Sequence, residues 1–212
     1  LAFKLAGTKF QMNTHAIGDN ANRFVLEAYG DALFNYRDPR WRIEHAQIVN
    51  EDDIKLFNQK ILPSVQPTHA TSDMYWLYDR IGKKRATYAY AYKELLNRSQ
   101  VIAFGTDFPV EDINPIMTYY SAVARKDKNG YPDNGFQMEN SIGRADALSA
   151  MTIFGAYVNF EEEEKGSIEV GKSADFILLD NDIIKSLESR IPLTSVVATF
   201  VNGELVFNRR YN

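Results

Sequence analysis

The sequence contains no cysteine and only three histidines. Without cysteine there can be no disulfide and no thiolate metal ligand, so any metal ion must be held by histidine and carboxylate groups. No apolar run approaches the roughly 18 residues that a membrane-spanning helix requires, which argues against a membrane partner. The absence of cysteine does not fix the cellular compartment, and the localisation stays unknown from the sequence.

The composition is that of an ordinary globular protein, with 45% hydrophobic and 25% charged residues in a chain of 212. This length suffices for one large domain or two small ones. A formal net charge of -4 and a pI near 5.5 argue against nucleic acid as the main partner. The first residue is Leu1 rather than methionine. We therefore expect a piece of a longer protein, in which case a missing signal peptide says nothing about secretion.

Apolar runs alternate with helix-like stretches through residues 1–160, and the runs end in polar side chains. The predicted strands cover 9–15, 41–45, 61–66 and 100–105, and the predicted helices cover 20–35, 51–59, 87–97, 115–125 and 145–158. This rhythm is typical of a βα barrel, in which the functional site lies at the carboxyl ends of the strands. The number of units predicts an α/β fold with half of a TIM-like barrel.

The pattern changes after Lys165, where short strands replace the βα units. Three strands are predicted there, at 175–180, 196–202 and 204–207, the last two forming a hairpin around Asn202-Gly203. We therefore place a boundary near residue 160. Residues 1–160 are predicted to form the half barrel, and residues 161–212 a small antiparallel β element.

Three residues end predicted strands with side chains that can bind metal: His15, His45 and Asp107. Taken alone, a strand-end histidine is more often bonded to the backbone, and Asp107 could simply cap a short turn. Their equivalent positions in successive units favour a shared site, because the carboxyl ends of barrel strands meet at one rim. Two imidazoles and a carboxylate suit a hydrolytic centre of the zinc type.

Strand alternation places Ile43 and His45 on one face of the strand 41–45, and Arg42 and Glu44 on the other. If His45 points into the barrel, Arg42 and Glu44 would lie under the surrounding helices. A charged pair in that position requires mutual neutralisation. We predict that these two side chains pair with each other or with close neighbours.

Gln66 and His69 follow the third predicted strand, in the segment Val65-Gln-Pro-Thr-His69. We interpret both as candidate contacts for a small-molecule substrate, and a proton shuttle is a further role open to His69. A solvated loop histidine is an equally good interpretation of His69. The aromatic residues around 75–78 are candidates for substrate specificity at the barrel mouth.

Several motifs at the strand ends resemble the second half of the amidohydrolase superfamily. They are His15-Ala-Ile-Gly-Asp19, Arg42-Ile-Glu-His-Ala46, Val65-Gln-Pro67 and Gly105-Thr-Asp-Phe-Pro-Val110. The tail agrees, through Gly166-Ser-Ile-Glu-Val-Gly171 and Asp175-Phe-Ile-Leu-Leu-Asp180. The resemblance is greatest to the amidohydrolase-3 group, which includes N-substituted formamide deformylase-like enzymes, and it covers essentially the whole chain.

The resemblance implies that His15, His45 and Asp107 are metal ligands on barrel strands five, six and eight, and that Asp107 also takes a proton from the attacking water. It implies one or two divalent ions, with zinc expected, and hydrolysis of a non-peptide C–N bond in an amide, formamide or cyclic amide. It also implies that the final β element belongs to a composite β-sandwich. The family's His-X-His pair and its strand-four Lys or Glu lie outside this sequence, so the isolated chain should be inactive.

Two other classes stay open. A different barrel enzyme that binds phosphate at its last strands would keep the βα rhythm, but the sequence has no Gly-rich phosphate loop. A non-catalytic half barrel would serve as a binding or assembly module. An open half barrel exposes unpaired strand edges, which predicts self-association near strand 9–15 or strand 100–105.

Overall fold

The computed structural model describes residues 1–209, and its centre is a four-stranded parallel sheet. The strands are β1 (Asn13–Ala16), β2 (Trp41–His45), β3 (Ile61–Val65) and β4 (Ala103–Phe104), in the order β1-β2-β3-β4. Each strand is parallel to the next one in sequence, which requires a crossover connection between consecutive strands. This architecture confirms the predicted half of a βα barrel.

Helices precede, connect and follow these strands. They are α1 (Ala2–Ala6), α2 (Asp19–Ala32), α3 (Glu51–Ile54), α4 (Pro67–Asp73), α5 (Leu77–Ala86), α6 (Tyr92–Ser99), α7 (Pro115–Ala124), α8 (Arg144–Met151) and α9 (Ile153–Tyr157). Asn50 and Asn114 explain where α3 and α7 begin, because each side chain accepts a hydrogen bond from the backbone two residues later. Within residues 1–209, no helix is long and apolar enough to cross a membrane.

The start of the chain differs from the prediction. The sequence predicts a strand over 9–15 with no helix before it, but residues 2–6 form α1, and β1 begins only at Asn13. The stretch after β3 also differs, because residues 67–73 form α4, where the sequence predicts no helix. Pro67 occupies the first turn of α4. A backbone N–H there would have no acceptor within the helix, so proline, which has no N–H, costs no hydrogen bond at this position.

Two later helices were predicted with wrong boundaries. The predicted helix 87–97 corresponds to α6, which begins only at Tyr92. The predicted helix 145–158 is divided into α8 and α9, because Thr152 between them has a non-helical backbone with φ -128° and ψ -96°. Apolar periodicity continues across such an interruption and therefore does not reveal it.

The second sheet is antiparallel and follows α9 in the chain. Its strands are β5 (Phe176–Leu179), β6 (Val196–Val201) and β7 (Glu204–Asn208), in the order β5-β6-β7. Asn202 and Gly203 join β6 to β7 with positive φ angles of 50° and 80°, as a tight hairpin turn requires. The small antiparallel element is confirmed, whereas the boundary near residue 160 stays a prediction.

Trp41 and Ile43 define the side of β2 that faces the helices. The Trp41 ring packs edge-on against Tyr29 of α2, with 4.9 Å between the centroids, and Ile43 is fully buried. By strand alternation, Arg42 and Glu44 lie on the opposite face, which points to the axis in a βα barrel. The prediction that this pair lies under the helices is therefore wrong.

The predicted pairing itself is confirmed. Arg42 Nε lies 3.1 Å from Glu44 Oε1. Arg42 also donates to the backbone oxygen of Val158 at 3.0 Å and to Asn159 Oδ1 at 2.6 Å. The segment after α9 thus supplies neutral hydrogen-bond acceptors to Arg42, and the carboxylate of Glu44 balances its charge.

Candidate metal centre

The carboxyl ends of β1 and β2 bring two histidines into contact. His15 lies in β1 and His45 ends β2, and their rings stand edge to face with 4.5 Å between the centroids. His15 is in register with Glu44, so it lies on the axis-facing side of the sheet. His45 joins it on that side, although strand alternation alone would place His45 with Ile43.

The backbone of His45 explains this orientation. His45 and Ala46 have φ angles of 74° and 42°, in the left-handed region. An L-residue in this region costs about 1–2 kcal/mol and persists only where the surroundings hold it. The extended conformation therefore ends at Glu44, and the ring of His45 turns toward His15. Asp107, with a φ angle of 57°, shares this feature.

His69 completes a group of three potential metal ligands. It lies in α4 and is only 8% exposed, so its interpretation as a solvated loop residue is wrong. Its Nε2 atom lies 3.4 Å from Asp107 Oδ2, and its ring centroid 5.9 Å from that of His45. In the part of the chain that the structure describes, His45, His69 and Asp107 form one group whose ligand atoms all lie within 4.8 Å of one another.

His15 stands outside this group, although its ring contacts His45. The set that the sequence predicts, namely His15, His45 and Asp107, thus shares two members with the set that the fold brings together. The role of His15 as a ligand stays a prediction.

Gln66 contacts His45 at the end of β3. Its Oε1 atom lies 2.8 Å from His45 Nδ1, and its backbone oxygen accepts a hydrogen bond from the buried Tyr92 hydroxyl at 3.0 Å. Burial lowers the pKa of His45, and the contact with Gln66 offsets this only in part. The lowered pKa favours the neutral imidazole of His45, which can offer a lone pair. Substrate contact by Gln66 stays a prediction.

Glu111 is a functional candidate that sequence reasoning missed. Its Oε1 atom lies 2.9 Å from His69 Nδ1 and 2.5 Å from Ser72 Oγ. In the sequence, Glu111 is visible as a second carboxylate in the loop that follows the strand-end residue Asp107. An acid in such a loop is common, so its type alone does not indicate a role.

A buried network links the loop after β2 to α4. The Tyr90 hydroxyl donates to Asp73 Oδ2 at 2.5 Å, and Gln47 Nε2 contacts both Asp73 Oδ2, at 3.1 Å, and the Tyr90 oxygen, at 2.8 Å. Burial raises the pKa of Asp73, and it also raises the pKa of Tyr90. These bonds fix the segment that carries His45 relative to the helix that carries His69.

The donor group suits a divalent ion of the zinc type. Imidazole nitrogen and carboxylate oxygen are the ligands of many hydrolytic zinc sites, which keep one position open for water. The 3.4 Å between His69 Nε2 and Asp107 Oδ2 fits two atoms that are each bonded about 2.1 Å from one ion. His45, His69 and Asp107 are the residues that would hold it.

The fold and the site define a βα-barrel protein with a candidate metal centre at the carboxyl ends of its strands. The family model described as the amidohydrolase family matches residues 1–207, and the chain belongs to this family. The resemblance predicted from the strand-end motifs is thereby confirmed.

Known relatives agree with this assignment. Protein LONG AFTER FAR-RED 3 of Arabidopsis thaliana is 36% identical over 211 residues, which are 97% of this chain and 36% of that protein. N-substituted formamide deformylase of Arthrobacter pascens is 27% identical over 117 residues, which are 55% of this chain and 21% of that protein.

A solved structure shows the same fold. It is that of an uncharacterized metal-dependent hydrolase from Pyrococcus furiosus, with a TM-score of 0.70 and 32% identity over 83% of this chain and 34% of that one. The matched part of the chain thus spans between about a fifth and little more than a third of the length of these relatives.

Proposed function

We propose that this chain forms the carboxyl-terminal half of the barrel of a metal-dependent hydrolase. The bond cleaved would be a non-peptide C–N bond, in an amide, a formamide or a cyclic amide. The observation that carries the proposal is the convergence of His45, His69 and Asp107, whose ligand atoms lie within 4.8 Å of one another. Membership of the amidohydrolase family supports it, as does similarity to a protein named for deformylation of N-substituted formamides.

A bound divalent ion, expected to be zinc, would lower the pKa of a water molecule to about 7 and polarise the carbonyl group of the substrate. Asp107 would accept the proton of the attacking water and pass it to the leaving amine. Its side chain is 37% exposed, so that water and substrate can reach it. His45 and His69 would bind the ion through neutral imidazole, and His15 stands beside His45 as the further predicted ligand.

A small-molecule substrate at this centre would also meet Gln66, which lies against His45. The isolated chain should have little or no activity, because the family resemblance implies a His-X-His pair and a strand-four Lys or Glu that are not among residues 1–212. Among the described residues, β1 and β4 are the edge strands of the parallel sheet, and their outer edges would be covered by a second copy of the chain or by the rest of the barrel.

Zinc affinity of the purified chain tests the proposal, measured by competition with a chromogenic chelator. Asp107→Asn and His45→Ala should each weaken zinc binding by more than about tenfold, since even changes beyond the ligands themselves cost about 10- to 100-fold. Glu94→Gln is the matched control, because within residues 1–209 the ion-pair partner of this exposed carboxylate of α6 is Arg98, at 3.2 Å. Zinc-replete chain that retains no zinc, or equal affinity in wild type and Asp107→Asn, would favour the non-catalytic binding or assembly module.

A further inference from the structure

Glu111 contacts the nitrogen of His69 that faces away from Asp107. Its Oε1 atom lies 2.9 Å from His69 Nδ1 and 2.5 Å from Ser72 Oγ. An ionised carboxylate has no hydrogen to donate, so both neighbours must donate to it. A hydrogen on Nδ1 of His69 would satisfy this contact, and in the neutral ring it would leave the lone pair on Nε2.

One short loop supplies the acids on both sides of the His69 ring. Asp107 lies on the Nε2 side, 3.4 Å away, and Glu111 lies on the Nδ1 side. The backbone N–H of Val110 donates to the carbonyl oxygen of Asp107 at 2.7 Å, which makes a tight turn between the two acids. The turn fixes the spacing of the two carboxylates, so the ring between them has a single favourable orientation.

Glu111 has no competing cation. Across residues 1–209 its ion-pair partner is His69, and no lysine or arginine pairs with it. The side chain of Glu111 is 18% exposed and that of His69 is 10% exposed. A carboxylate that is largely removed from water stays charged only when donors compensate it. Here those donors are an imidazole N–H and a serine hydroxyl.

We propose that Glu111 is a positioning residue that fixes the Nδ1–H form of His69 and directs Nε2 toward Asp107 as a ligand atom. The ligand step rests on the metal-dependent function proposed above. In this form, Nε2 and Asp107 Oδ2 face each other at 3.4 Å with a lone pair on each. Two such atoms repel each other unless a metal ion or a proton lies between them. Glu111 thereby directs Nε2 to the position beside Asp107 that a metal ion would occupy.

Nitrogen-15 NMR of the metal-free chain tests the ring form directly. The chain has only three histidines, so single His→Ala variants assign each ring. The spectrum is recorded near pH 8, above the ordinary histidine pKa of about 6.5. Wild-type His69 should carry its hydrogen on Nδ1, and Glu111→Leu should move it largely to Nε2. Glu111→Gln keeps an acceptor oxygen in the same place and should keep the Nδ1–H form.

Zinc affinity tests the consequence. Glu111→Leu should weaken zinc binding about 10- to 100-fold, Glu111→Gln should weaken it less, and the control Glu94→Gln should leave it unchanged. If Glu111→Leu does not fold by circular dichroism, Glu111→Gln decides, because it is isosteric and removes only the charge. Wild-type His69 with its hydrogen on Nε2 would overturn the proposal. Wild-type zinc affinity in both Glu111 variants, together with weak zinc binding by His69→Ala, would also overturn the proposal.

Failure of the proposed function gives a different pattern. If His45→Ala and Asp107→Asn bind zinc as tightly as the wild type, the metal centre is wrong, while the ring spectra still decide whether Glu111 sets the form of His69. A wild-type chain that binds no zinc overturns both the centre and the ligand role of Nε2.

Discussion

Tyr90→Phe removes one hydroxyl from the buried network around Asp73. That hydroxyl donates to Asp73 Oδ2 at 2.5 Å, and Tyr90 is fully buried. A hydrogen bond to a charged group contributes about 1.5–3 kcal/mol, compared with about 0.5–1.5 kcal/mol for a neutral one. Asp73 keeps its contact with Gln47 at 3.1 Å. We therefore expect the free energy of unfolding to fall by about 2 kcal/mol at pH 7.

The loss should become smaller in acid. Burial raises the pKa of Asp73, and the Tyr90 hydroxyl counteracts this in part, so Tyr90→Phe raises the folded-state pKa further. A group with a raised folded-state pKa stabilises the fold at low pH, and that stabilisation is lost as the pH rises through the folded-state pKa. The variant is thus penalised more at pH 7 than near pH 4, because the raised pKa of Asp73 makes its carboxylate take up a proton at a higher pH than an ordinary aspartate does.

Urea unfolding at the two pH values measures this difference. Tyr119→Phe is the matched control, because in the described part of the chain the Tyr119 hydroxyl donates to neutral acceptors, the backbone oxygens of Arg144 and Ile183, at 3.2 and 3.3 Å. The control should lose about 1 kcal/mol at both pH values, since its partners are neutral. Equal losses for Tyr90→Phe at pH 7 and pH 4, or a smaller loss than the control at pH 7, would refute the assignment of the charged bond.

The remaining predictions concern packing, the hairpin and assembly. Trp41→Ala should lower the free energy of unfolding by about 3–5 kcal/mol, because this ring is only 2% exposed; a loss below about 1 kcal/mol in urea would contradict the packing against α2. Gly203→Ala should destabilise by about 1–2 kcal/mol, because φ is 80° there, whereas Gly30→Ala in α2, where an added Cβ meets nothing within 4 Å, should stabilise by about 0.5–1 kcal/mol. Light scattering should show concentration-dependent association through the edges of β1 and β4, and a monomer at high concentration counts against it.

The parts of the fold that the sequence predicts well are those that depend on neighbouring residues. β2 lies where the apolar run places it, at residues 41–45, and the hairpin turn lies at Asn202-Gly203. Both features follow from interactions within a few positions, namely strand alternation and the backbone preference of glycine. The pairing of Arg42 with Glu44 was predictable for the same reason, since side chains two apart in a strand share a face.

The parts that the sequence does not predict depend on distant contacts or on the backbone at strand ends. His69 and Glu111 are 42 residues apart, and neither lies in a strand. Their contact forms because the loop after β4 turns back onto α4. The spacing of apolar residues along the chain does not indicate such a turn. The ring of His45 leaves the face that alternation assigns to it because its φ angle is 74°. Assigning side chains to faces by alternation assumes an extended backbone. The assignment is therefore wrong where the extended conformation ends.

The pair of Arg42 and Glu44 bears on how the half barrel could be completed. Their side chains are 15% and 29% exposed, so water still reaches them. The interior of a complete barrel is packed with side chains, and closure would remove that water. Burying an ion pair is costly unless its remaining hydrogen-bonding groups are satisfied. Arg42 already donates to Val158 and Asn159. Because these partners are in place before closure, the axis-facing side is compatible with both an open half barrel and a completed one.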